Sequence, residues 1–84
     1  MFTVEYEEEK TAHVLVAPGG ERVELRDDVW ERLRAPEMLF SDFKLLLQKW
    51  TIHVGKAELL KRECPTDSEY RQVRSLIRMF KKKE

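Results

Sequence analysis

The apolar residues of this chain change their spacing once, just after residue 25, and that change restricts the fold more than any other feature. Before it, Phe2, Val4 and Tyr6 alternate with Thr3, Glu5 and Glu7, the period of two that half-buries a strand. Thr11 to Ala17 is β-branched and apolar, which suits a more buried strand. Glu21 to Leu25 forms a third, with Val23 and Leu25 on one face. Glu8-Glu9-Lys10 is a polar break, and Pro18-Gly19-Gly20 is a turn in which proline fixes φ and glycine supplies positive φ. Connections this short join antiparallel neighbours, so residues 1–25 are expected to form a three-stranded β-meander.

Beyond residue 25 the spacing is helical. Val29, Trp30 and Leu33 share one side of a short helix that Asp27 can cap and Ala35-Pro36 ends. Leu39, Phe43, Leu46, Leu47 and Trp50 mark a second helix, starting near Pro36 or capped by Ser41. Thr51 to Val54 is β-branched and reads as a helix exit or a very short strand. Lys56 to Cys64 gives a third helix burying Ala57, Leu60 and Cys64, and Pro65 breaks it. Thr66-Asp67-Ser68-Glu69 is a capping box, which starts a last helix running to about Lys82. Trp30, Phe40, Phe43, Trp50 and Phe80 fall at core spacing, whereas Tyr6 and Tyr70 are expected to keep their hydroxyls in water. The expected class is α+β: a small three-stranded antiparallel sheet, then a helical part (26–84), in one domain.

The 84 residues allow only a limited core, since a chain this short buries about 60–65% of its unfolded surface. Cys64 is the single cysteine, so no internal disulfide forms and a reducing, cytoplasmic setting is expected. The acidic start, MFTVEYEEEK, lacks the apolar run of a signal peptide, and no stretch suits a membrane span. His13, His53 and Cys64 have no short-range spacing for a metal. No acid–base pair or phosphate loop stands out, so neither a cofactor nor catalysis is expected.

Charge points to a partner. Residues 1–42 hold 5 Lys/Arg against 11 Asp/Glu, a net of −6; residues 43–84 hold 11 against 5, a net of +6. On the last helix Tyr70, Val73, Leu76, Ile77 and Phe80 form an apolar arc, and Arg71, Arg74, Arg78, Lys81 and Lys82 form a basic arc read as roughly opposite. Gln72 and Ser75 lie beside the cations as neutral hydrogen-bonding groups. Planar guanidinium forks suit phosphate oxygens and guanine edges, so these seven residues are the candidate nucleic-acid contacts, with DNA favoured over RNA. The same row also suits a solvated face whose cations complement the helix dipole.

GKAELLKREC, a short Pro-containing turn and the capped last helix together resemble a helix-turn-helix unit. With strands ahead of the helices, residues 21–82 are similar in segment order to winged-helix DNA-binding domains, including the output domains of response regulators. The resemblance implies a transcription regulator whose recognition helix is residues 67–82. The chain departs from that pattern in lacking a glycine between the two helices and a β-hairpin wing after the last one. A second reading is a protein-binding regulator or inhibitor. It would act through the acidic hairpin of Glu5, Glu7, Glu8 and Glu9, extended by Asp27 and Asp28, or through the apolar patch of Met38, Leu39 and Phe40, which also suits a homodimer contact.

Overall fold

The computed structural model describes residues 1–53 and 57–81, with the backbone alone at 50–53 and 57. Three strands, β1 (Thr3–Glu7), β2 (Ala12–Val16) and β3 (Arg22–Leu25), form an antiparallel sheet in the order β1-β2-β3. Among the described residues four helices follow: α1 (Asp27–Arg34), α2 (Phe40–His53), α3 (Ala57–Glu63) and α4 (Asp67–Met79). The α+β class read from the spacing change is therefore observed.

Register follows the alternation of the strands. Leu15 pairs with Val4 on one side and Val23 on the other, and His13 pairs with Tyr6 and Leu25. These residues share the face that receives the helices. On the other face Val14 lies between Glu5 and Glu24 and is nonetheless fully buried. Arg22 spans Glu5 and Glu7 at 2.9 and 2.5 Å, and Lys10 reaches Glu24 at 2.6 Å, so charged stems lie across that face. The β2–β3 turn needs Gly20 at φ 91°, where its amide donates to Ala17 O.

One core joins sheet and helices. Leu15, Val23 and Leu25 meet Val29, Trp30 and Leu33 of α1, Phe43 and Leu47 of α2, Leu59 and Leu60 of α3, and Val73 and Ile77 of α4. Helix α3 packs on α2, whereas α4 packs on α1, α2 and β1. An aromatic cluster closes the sheet end of this core. The His13 ring stacks on Trp30 at 3.9 Å and 5°, Tyr6 meets His13 edge-on, and Phe80 meets both His13 and Trp30 edge-on.

Several boundaries differ from the sequence expectations. Arg26, not Asp27, is the N-cap of α1, and no side chain caps it; Asp27 and Asp28 sit in the first turn, where they favour the helix dipole instead. Helix α2 starts at Phe40, later than Pro36, and Ser41 lies inside it; residues 35–38 form a turn with Met38 N donating to Ala35 O. Residues 51–53 continue α2, so there is no strand there; Val54, Gly55 and Lys56 lie outside the described residues. Helix α4 ends at Met79, because Phe80 turns to extended backbone and carries its ring into the aromatic cluster. Tyr70 is 4% exposed, and its hydroxyl accepts from Gln48 Nε2 at 3.0 Å, so its tip is held by protein rather than water.

The start of α4 is as read. Thr66 Oγ1 accepts from the Glu69 amide at 3.3 Å; the Glu69 carboxylate meets the Thr66 hydroxyl rather than its amide. Thr66→Ala should cost about 0.5–2 kcal/mol of stability, measured by urea unfolding. A second test concerns Cys64, which is buried. Burial, then Glu69 and Glu63, pushes its thiol up from 9.0 to about 11. The unfolded thiol ionises first, so this contribution is complete below the unfolded value and is lost as pH rises toward the folded one. The difference in urea midpoint between the parent and Cys64→Ala should therefore fall as pH rises through that window.

Candidate nucleic-acid interface on the last helix

Helical geometry decides where the basic row of α4 lies. With Arg71 set at zero and about 100° per residue, Arg74 and Arg78 fall near 300° and 340°, and Tyr70 and Ile77 near 260° and 240°. Ser75, Met79 and Gln72 fall between about 40° and 100°. The arginines therefore border the apolar arc, and the expectation that they oppose it is corrected. Burial follows: Gln72, Ser75 and Met79 are exposed, Arg71 is exposed, and Arg74 and Arg78 are half-buried.

The two half-buried arginines reach the connection between α1 and α2. Arg74 Nη2 donates to Met38 O. Arg78 Nη2 donates to Ala35 O at 3.0 Å and to Pro36 O at 3.2 Å. Ala35 O already accepts from the Met38 amide in this turn, and the two side chains add donors to it and to the Pro36 and Met38 carbonyls. Each guanidinium has further donors beyond those bonds. Arg74 also lies over the Phe43 ring, 5.7 Å from its centroid, and Arg71 lies over Phe40 at 4.1 Å. The α2–α4 seam continues at Lys44, whose Nζ lies 2.6 Å from Asp67 and 5.2 Å from the centre of the Tyr70 ring.

This edge gathers three cations in one row. Among the described residues, salt bridges engage Lys10, Arg22, Arg26, Lys44 and Arg62, and none engages Arg71, Arg74 or Arg78. Burial, followed by the positive charges of Arg78 and Arg71, holds Arg74 below the usual arginine value. The three cations repel one another, and among the described residues no carboxylate pairs with them to offset that.

Of the seven candidate residues, Arg71, Gln72, Ser75 and Lys81 are exposed, Arg74 and Arg78 are clasped to the α1–α2 connection, and Lys82 lies outside the described residues. Phe40 and Lys44 were missing from the sequence-based site. Their spacing on α2 resembles that of any amphipathic helix, and only packing against α4 brings them to the arginines. The acidic hairpin is changed as well, since Arg22 and Lys10 already occupy Glu5, Glu7 and Glu24. Met38 and Phe40 are half-buried, and Leu39 is 67% exposed. Among the described residues no three His, Cys, Asp or Glu side chains are grouped to hold a metal ion, and no helix is long and apolar enough to cross a membrane.

The clasp has a measurable consequence. Arg78→Met keeps an apolar stem but removes both carbonyl bonds, and should cost about 1.5–3 kcal/mol. Arg71→Met removes only the contact with Phe40 and should cost about 0.5–1 kcal/mol. Urea unfolding of the two variants checks that order.

No protein-family model, curated protein or solved structure matches this chain.

Proposed function

We propose that this chain is a nucleic-acid-binding regulatory protein, not a catalyst, and that it contacts the phosphate backbone through the arginine edge of α4. The observation that carries this reading is the row of Arg71, Arg74 and Arg78, which no carboxylate among the described residues neutralises. Among the described residues other cations also stand without a carboxylate, but these three are held in one row, where their mutual repulsion is relieved by an outside anion. Phosphates supply that charge, and arginine meets them with a planar fork.

The roles divide by burial. Arg71 and Lys81 are free to move onto phosphates, while Arg74 and Arg78, whose Nε–H groups are buried, offer Nη1 from fixed positions. Gln72 and Ser75, on the outermost arc, are the groups that would read base edges. From Arg71 to Arg78 the row rises about 10 Å, enough for two or three successive phosphates. Duplex DNA is the favoured ligand, in keeping with the resemblance to winged-helix domains, which assigns recognition to this same helix.

A labelled mixed-sequence duplex, followed by fluorescence anisotropy over a salt series, tests the reading. Log affinity should fall linearly with log salt, and Arg71→Ala and Lys81→Ala should each weaken binding and reduce the slope by about one. Tighter binding to duplex RNA of the same sequence would move the assignment to RNA. Absence of binding at low salt to either duplex would refute it.

A further inference from the structure

The apolar surface of α2 extends beyond the side that the core covers. Phe43 and Leu47 are fully buried in the core. Away from them Leu45 is 64% exposed, Leu46 at the edge of the core contact is half-buried, and Leu39 just before the helix is 67% exposed. These residues face an open groove of about 830 Å³ whose other wall is the end of α1 and the α1–α2 connection. A surface helix normally confines its apolar residues to the side that meets the core. A contiguous exposed set marks an interaction surface.

The order of side chains along that face identifies what it fits. Asp42, Leu45, Leu46 and Lys49 stand at i, i+3, i+4 and i+7, one stripe read as acid, leucine, leucine, base. Among the described residues neither Asp42 nor Lys49 enters an ion pair. The midpoint of the stripe falls between Leu45 and Leu46. Turned over onto itself about a two-fold axis through that midpoint, it sets Asp42 against Lys49 of a second copy and Leu45 against Leu46. A parallel pairing would set Asp42 against Asp42 and Lys49 against Lys49. The stripe is thus complementary to itself in the antiparallel sense alone, as an isologous interface requires. Glu37 and Arg32, also on the groove, keep its rim balanced in charge.

We propose that the occupant of this groove is a second copy of the chain, bound through antiparallel α2 helices with Leu45 and Leu46 at the centre and two Asp42–Lys49 pairs beside them. The inference is independent of nucleic-acid binding, which uses α4.

Sedimentation equilibrium of the purified chain from micromolar to millimolar concentration tests it. The mass should rise from 10.1 kDa toward twice that value. Asp42→Lys sets lysine against lysine, and Lys49→Asp sets aspartate against aspartate, so each variant should stay monomeric across the same range. An equimolar mixture of the two variants should associate again, because each then meets its complement. Both positions are exposed, and circular dichroism verifies that the variants fold. A parent that stays monomeric throughout overturns the proposal and leaves the groove to a different chain. Association that neither charge reversal weakens overturns the antiparallel arrangement.

Discussion

Trp30 stacks flat on His13, and at that contact the strand-forming and helix-forming parts of the chain are joined. Tyr6 packs against this pair from β1, and Phe80 from the end of α4, so four elements converge on two rings. Trp30 is 1% exposed and spans the boundary between sheet and helices. A small domain has few residues with enough area for that role, and aromatic rings carry the largest burial per side chain. The rest of the arrangement follows. With Phe80 fixed at one end and the Thr66 cap at the other, α4 has one rotation in which Val73 and Ile77 face the core.

That rotation brings Arg74 and Arg78 to the Ala35, Pro36 and Met38 carbonyls between α1 and α2. The bonds tie the position of α4 to the conformation of residues 35–38. They also hold three like charges along one edge, an arrangement that repels itself in isolation and becomes favourable beside a polyanion. On the far side of α2, the same small core leaves Leu39 and Leu45 uncovered. The two proposed surfaces thus have a common origin: α2 and α4 pack on each other, and each has a further face that the core does not cover.

Element order was legible because the switch from alternating to helical spacing is local and needs no tertiary information. The Thr66 cap was legible for the same reason. Positions set by packing were not. The lysines after Met79 suit a longer helix, yet Phe80 leaves it to meet rings from two other elements. Acidic residues are favoured both at an N-cap and in the first turn, so Asp27 gave no means of separating the two. Tyr70 appeared amphipathic because Gln48, its partner, is 22 residues away. The basic row is legible as a row, but it borders the apolar arc instead of opposing it, and that angular distance separates a free cation from a clasped one.

The most direct test of the account is residue-by-residue mapping of DNA contact by ¹H–¹⁵N NMR of the whole chain titrated with a short duplex. Amide shifts should concentrate from Arg71 to Lys81, with the arginine Nε–H signals of Arg71, Arg74 and Arg78 moving together and the amides of β1 and β2 unchanged. Shifts centred on Leu39 and Leu45, or on the sheet, with α4 unmoved would contradict it.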